Sequence, residues 1–154
     1  MQKTSKDYLF VGIQFILFGL YVFDYFEKFK TLAFLHYLAL ILAILGFLVA
    51  IFSVFNLDRN LTVYPTPKNN SNLITSGLYK YTRHPIYSGI IFFTFGYSIY
   101  LGSIYKLIIS GHLFIWFFFK SNYEEKRLME KYSDYIKYRK ITGRFFPKIK
   151  KPQD

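Results

Sequence analysis

Thr31–Leu57, TLAFLHYLALILAILGFLVAIFSVFNL, runs for 27 residues without an Asp, Glu, Lys or Arg. About 20 mostly apolar residues cross the hydrocarbon core of a bilayer, so this run reads as a transmembrane helix. Working outward, Pro85–Tyr105 is uncharged for another 21 residues. Tyr8–Phe23 supplies 16 more, extendable to Phe26 with only Asp24 inside, and Leu107–Phe119 supplies 13. The last run is short, but Lys106 and Lys120 at its ends can snorkel to the head groups and let the helix continue. The pattern therefore predicts an all-α integral membrane protein of one domain, 1–154, with spans at about 8–26, 31–57, 85–103 and 105–121. The last two form a helical hairpin turning near Leu101-Gly102-Ser103, and residues 122–154 form a cytoplasmic amphipathic helical tail.

Charge orients these spans. Of the 20 Lys and Arg residues, 17 fall in the N-terminus, the 58–84 connection and the tail from Lys120, and 3 on the opposite side. The positive-inside rule places both termini and the 58–84 loop in the cytoplasm. Phe23-Asp24-Tyr25-Phe26 lacks the small residues of a cleavage site, so the first span is expected to remain as an anchor. The absence of cysteine removes disulfides, cysteine metal sites and thiol nucleophiles together, and no metal site is expected. A net charge of +11 suggests an anionic partner. Because eleven of the basic residues lie from Lys120 onward, at and beyond the end of the last span, anionic lipid head groups fit better than nucleic acid.

Within the spans, Gln14 can bond to a neighbouring helix, and Gly12 and Gly19 could permit close approach. His36 reads as an interfacial or interhelical hydrogen bonder, and His112 with Trp116, four residues apart, as packing on one face. Pro65-Thr66-Pro67 favours an extended chain. After Lys120 the helix is expected to continue through Glu124, Glu125, Leu128, Met129 and Tyr132. Ser133-Asp134 then opens a short helix whose Tyr135, Ile136, Tyr138 and Ile141 can meet the membrane surface. Gly143 ends it, Phe145-Phe146-Pro147 turns back toward the bilayer, and Lys148–Asp154 is a solvated end.

Between the second and third runs lies a polar island, Leu73–Tyr87, LITSGLYKYTRHPIY. Pro85 is tolerated at the first turn of a helix, where an amide would lack a partner anyway. That turn offers free N–H groups and a positive dipole end beside Arg83 and His84, which suits an anionic ligand group. A histidine held between an arginine and a helix-opening proline has few packing reasons to be there. Arg83 and Lys80 are equally expected as anchors at a cytoplasmic helix end, and Tyr79, Tyr81 and Tyr87 as interfacial belt residues. Glu124 could pair with Lys120 one turn back.

The island from Gly77 to Tyr87, followed after a hydrophobic hairpin by Glu124-Glu125-Lys126-Arg127-Leu128, resembles the isoprenylcysteine carboxyl methyltransferase family and its phospholipid methyltransferase relatives. The resemblance covers roughly residues 60–147 and includes Tyr135 and Phe146-Pro147. It implies a membrane enzyme that takes S-adenosylmethionine from the cytoplasm, releases S-adenosylhomocysteine, and methylates a lipid or lipidated acceptor in the bilayer. The cofactor would touch Asn72, Leu73, Ile74, Tyr79, His84, Pro85, Ile86, Tyr87 and Glu124. Lys120 stands where the family carries an arginine associated with the acceptor, and Arg83 is the residue considered for a catalytic role.

The residues agree with that implication. His84 and the amides after Pro85 can take a carboxylate, Tyr79 and Tyr87 can lie against a sulfonium or an adenine, and Glu124 can accept from an ammonium or ribose hydroxyls. Carboxyl O-methylation is the first reading. Phospholipid amine N-methylation, a sterol-type membrane reductase and a non-catalytic membrane adaptor stand as alternatives, and oligomeric state is not legible.

Overall fold

The computed structural model describes residues 1–148, so most of the expected solvated end lies outside the described residues. Five α-helices follow in order: α1 Ser5–Val22, α2 Ala33–Leu57, α3 Pro85–Leu101, α4 Ile104–Lys131 and α5 Tyr135–Ile141. Short 3₁₀ turns cover Asp58–Asn60 and Gly77–Lys80. The described residues contain no strand, only isolated bridges joining Lys28 to Ser103 and Thr82 to Gly143.

α1, α2 with the turn that follows it, and α4 are long and apolar enough to cross a membrane. α3 was expected to run to 103 but has 17 residues, Pro85 at its first position and Gly102 at φ 65 just past its end. At 1.5 Å per residue it is about 26 Å long, against a hydrocarbon core of about 30 Å. α1 also stops short of the expected Phe26, because the chain turns extended at Phe23. The polar groups beyond that point bond elsewhere. Asp24 accepts from Ser103 Oγ at 2.7 Å, and Lys106 Nζ donates to the terminal carbonyls of α1, Phe23 O at 3.0 Å among them.

The long helices pack in the order α2, α3, α4, α1. α2 is apolar all round, and its buried residues are the small ones, Ala39, Ala43, Gly46 and Ser53. Ala39, Ala43 and Gly46 lie against glycines of α3. A Cβ added at Gly46 would stand 2.7 Å from Gly89 O, and one at Gly96 would stand 2.7 Å from Ala39 O. In membranes, where lipid competes equally for apolar side chains, such backbone proximity is a principal source of helix affinity. The close approach expected at Gly12 and Gly19 is absent, since both face open space. His36 bridges α2 and α3 by lying 4.3 Å from the Tyr100 ring.

Ile91, Ile109, Leu113, Phe117 and Phe145 form the core between α3, α4 and the chain after α5. Phe145 does turn back as expected, and its neighbour Phe146 meets Phe92 of α3 edge-on at 5.7 Å. Trp116 packs as expected, donating from Nε1 to Phe10 O of α1 at 3.2 Å, while His112 Nδ1 lies 2.8 Å from Ile108 O of its own helix. The tail helix departs from expectation. Tyr135 and Tyr138, one turn apart, face inward and are buried, leaving Ile136 and Ile141 exposed.

One end of the bundle gathers the N-terminus, the 58–84 connection and the tail. Asp7 is fully buried there, accepting from Thr4 N at 2.7 Å and from Thr66 N at 2.8 Å. The Pro65-Thr66-Pro67 segment is thus a buried strap fastened to α1 rather than a linker.

Candidate functional site

Beneath that strap lies a cavity of about 300 Å³. Its volume falls at the small end of the range typical of small-molecule sites, roughly 300–1,000 Å³. Asn72, Leu73, Ile74, Tyr79, Arg83, His84, Ile86, Tyr87, Lys120 and Glu124 all line it. Of the residues expected to touch the cofactor, Pro85 does not. It is buried at the first position of α3, where it orients Ile86 and Tyr87.

The island is shaped by local chain chemistry. Gly77 sits at φ 59, a left-handed conformation that side chains disfavour, and a Cβ there would collide with the Asn56 amide. The 3₁₀ turn from Gly77 to Lys80 then drives Tyr79 into the interior, where it is buried. Arg83 N and His84 N donate to Gly143 O and Arg144 O at 2.8 and 3.1 Å, tying the island to the chain after α5. No side chain caps the start of α3, and Ile86 and Tyr87 of its first turn line the cavity.

The two sequence segments meet at an aromatic and acidic junction. The His84 ring stacks on Tyr87 at 5.3 Å and 4°, and Tyr87 stacks on Phe117 of α4 at 4.6 Å and 8°. Tyr87 Oη donates to Glu124 Oε2 at 2.8 Å. Glu124 is therefore held by Tyr87, and the pair with Lys120 that its spacing allowed does not form. Lys120 Nζ turns the other way, donating to Gln14 Oε1 of α1 and to Val63 O of the strap at 2.9 Å.

His84 was expected to meet an anion directly, yet its buried ring is bracketed by acids. Nε2 lies 3.3 Å from Glu125 Oε1 and Nδ1 lies 3.7 Å from Glu124 Oε2. The start of α3 itself carries no side-chain cap. Arg83 is also committed. Its Nε donates to Glu125 Oε1 at 2.8 Å, and its Nη1 donates to Arg139 O at 3.2 Å and to Thr142 O.

Glu125 was the residue that sequence reasoning passed over. Its carboxylate is 2% exposed and gathers Arg83, His84, Arg139 at 3.2 Å and Arg144 at 3.6 Å. A signal existed in the Glu124-Glu125 doublet: neighbours on a helix point about 100° apart, so one acid can face a cavity while the next faces the tail. The strap's fastening by Asp7 had only a faint signal, Thr4 three residues before an acid at a helix start.

The far wall comes from the tail. Tyr132, Tyr135 and Tyr138 line the cavity, and Tyr138 Oη donates to Tyr79 O at 2.6 Å. Burial pushes the phenols of Tyr79, Tyr135 and Tyr138 well above their usual range. The charge of Glu124 adds to this at Tyr79, and those of Glu125 and Glu124 add to it at Tyr135. All three are neutral O–H donors at physiological pH.

The cavity, with one acid, an uncapped helix start and stacked aromatic faces, lies at the end of an apolar helix bundle and suits a small polar molecule. A family model described as phospholipid methyltransferase matches residues 34–135, from the start of α2 to the cavity wall at Tyr135. The chain belongs to the phospholipid methyltransferase family. No curated protein matches it closely enough to count as a relative. Membership agrees with the apolar helices in making this a membrane protein of a methyltransferase family.

Proposed function

We propose that this phospholipid methyltransferase family member binds S-adenosylmethionine in the cavity under the strap and transfers its methyl group to an acceptor carried by the bilayer. The observation that carries the reading is the Tyr87–Glu124 hydrogen bond, which joins the opening of α3 to the exit of α4 as one wall of a single cavity. S-adenosylmethionine supplies an activated methyl group on a sulfonium.

The residues present fit that molecule. Glu124 offers a carboxylate for the ammonium or the ribose hydroxyls, with one oxygen already oriented by Tyr87. The opening amides of α3 suit a carboxylate. Asn72, Leu73, Ile74 and Tyr79 supply a mixed wall for the nucleoside, and the Tyr87 face suits a cation. His84 and Arg83 act through Glu125 as positioning residues, holding the island against the tail.

For the acceptor, carboxyl O-methylation of an isoprenylcysteine-like group is favoured by Lys120. The residue is 1% exposed, and its ammonium is bonded to uncharged oxygens of Gln14 and Val63. A buried cation without a paired acid attracts an anionic acceptor and disfavours a cationic one. A carboxylate is nucleophilic at neutral pH without a base, so the protein's work is alignment and removal of hydration. The second reading, N-methylation of a phospholipid amine, is favoured by the family description. It would require a proton acceptor, for which Glu124 or a cavity tyrosine is the local candidate. The reductase and adaptor readings gain no support from family membership.

In this reading α3 serves as a fourth span, slightly shorter than the bilayer core. The end carrying the N-terminus, strap and cavity faces the cytoplasm, and the basic tail lies at anionic head groups. Isothermal titration of the detergent-solubilised protein with S-adenosylhomocysteine tests donor binding: wild type should bind, and Glu124→Ala should bind at least tenfold more weakly. Incubation with labelled S-adenosylmethionine and a lipid extract tests the acceptor. A base-labile product means a methyl ester, and a base-stable one means an N-methyl group.

A further inference from the structure

Each neighbour of α3 meets it on a different side. α2 approaches at Gly89 and Gly96, and α4 at Ile91 within the core. α1 arrives through Tyr21, whose Oη donates to Thr94 O at 2.7 Å and lies 3.1 Å from Ser98 Oγ. At about 100° per residue, Ile86, Ile90, Phe93 and Tyr97 fall on one line between the α2 side and the α1 side. All four are half-buried, whereas Gly89, Thr94, Gly96 and Ser98 beside them are buried. α1 and α2 stand at the two ends of the packing order, so they flank this line instead of packing on each other. The line leads into the cavity. Ile86 and Ile90 form part of its wall, with Gln14 of α1 on one side and Val54 and Leu57 of α2 on the other. Farther along, Phe93 stacks on Tyr97 at 5.6 Å and 9°, and Phe47 of α2 tilts against Phe93 at 5.9 Å as a side wall. From Ile86 to Tyr97 the track is about 16 Å long, which fits inside the hydrocarbon layer of a bilayer.

We propose that this track, floored by Ile86, Ile90, Phe93 and Tyr97 of α3, holds one hydrocarbon chain of the methyl acceptor, with Phe93 and Tyr97 setting the specificity for chain length. The proposal rests on the acceptor reading above and adds to it the residues that recognise the tail. Continuity with the cavity names the occupant: a chain lying on Phe93 and Tyr97 delivers its head group past Ile90 to the space that Lys120 and Glu124 also line. Lipid tails compete equally for apolar surface, so the seated chain gains no transfer energy from leaving the bilayer. Its preference comes from dispersion against a fixed aromatic stack, and it grows with the number of carbons that reach the stack.

The test measures methyl transfer from labelled S-adenosylmethionine in mixed micelles of one detergent, with two acceptor series. One is S-alkyl-N-acetylcysteines bearing hexyl, decyl or hexadecyl chains, and the other is phosphatidylethanolamines with acyl chains of the same lengths. In whichever series is methylated, the wild-type KM, expressed as mole fraction of acceptor, should fall from hexyl to hexadecyl. Tyr97→Ala should raise the KM of the hexadecyl acceptor about fivefold and leave that of the hexyl acceptor, whose chain ends short of Tyr97, like wild type. Phe93→Leu, a milder change, should act in the same direction. Ile99→Ala, two residues on and about 200° round α3, should change neither, and all three variants should bind S-adenosylhomocysteine like wild type. A wild-type KM independent of chain length, an unchanged or equally shifted KM for both chains in Tyr97→Ala, or the same shift in Ile99→Ala would overturn the track. Each would mean that ordinary bilayer lipid covers it, with methyl transfer itself left standing. A wild type that binds no S-adenosylhomocysteine and methylates neither series would instead defeat the reading on which the track rests.

Discussion

Tyr87 and Glu124, 37 residues apart in the chain, share a 2.8 Å hydrogen bond that fixes the acid of α4 against the first turn of α3. The bond has a consequence for ligand binding, since it leaves Glu124 oriented before any ligand arrives. Tyr87→Phe removes the hydroxyl but keeps the stack between His84 and Phe117. The expected outcome is a fold near wild type in melting and a several-fold loss of S-adenosylhomocysteine affinity, less than for Glu124→Ala, measured by titration.

Glu125 performs a different task from its neighbour. It joins α4 to Arg83 and His84 of the island and to Arg139 and Arg144 of the tail. Removing one partner from a buried charge pair generally costs about 3–5 kcal/mol, because the remaining charges stay desolvated. Arg139 is partly exposed and contributes less. Glu125→Gln should therefore lower the melting temperature and expose Arg139 and Lys140 to trypsin earlier in limited proteolysis. An unchanged digestion pattern would mean that the hub does not hold the tail.

The membrane frame was legible because charge is excluded from long runs. Thr31–Leu57 became α2 almost residue for residue. Helix ends were harder to read where a polar residue could bond across the bundle, as Asp24 does with Ser103. The island and Glu124 were legible through an ordered pair of motifs, and Tyr79, His84, Ile86 and Tyr87 of the island line one cavity with Glu124. Glu125 and Asp7 depend on partners 40 residues or more away, Arg83 for Glu125 and Thr66 for Asp7. No local pattern encodes such distances.

The same distinction separates the glycines, and it can be tested. Gly89 faces α2, and a Cβ there would stand 2.5 Å from Ala50 N and 2.6 Å from Gly46 O, whereas Gly12 has nothing within 4 Å. Gly89→Ala should force α2 and α3 apart at a cost of about 1–3 kcal/mol. Gly12→Ala should be neutral or slightly stabilising through helix propensity. Thermal melting in one detergent compares them, and equal effects would contradict the packing order.

The outward face of α5 bears exposed Ile136, Lys137, Lys140 and Ile141, next to Phe146 at the level of α3. If this face rests on anionic lipid, Lys137→Glu with Lys140→Glu should weaken the preference for phosphatidylglycerol over phosphatidylcholine. Each basic residue near such a surface contributes about 1 kcal/mol. Methyl transfer in nanodiscs with and without phosphatidylglycerol measures this, with S-adenosylhomocysteine affinity in detergent unchanged.

Lys120 separates the two acceptor readings. It touches Gln14 and the strap at Val63, and its ammonium lies 5.4 Å from the Tyr87 ring centroid, on the cavity side opposite the tail. If the acceptor is a carboxylate, Lys120→Met removes the attraction for it while preserving most of the side-chain volume. The KM for acceptor should rise about tenfold or more, with donor affinity little changed. If the acceptor is an amine, the same substitution removes a repulsive charge, and acceptor KM should fall or stay level. Lys120→Arg is the companion measurement. It preserves charge and adds a forked donor, so under the carboxylate reading it should retain or lower the acceptor KM, provided the wider head fits between Gln14 and Val63. A rise in KM for Met together with retention for Arg would assign charge recognition to this position. A loss of donor binding in both would instead make Lys120 a fastening for the strap, through Val63.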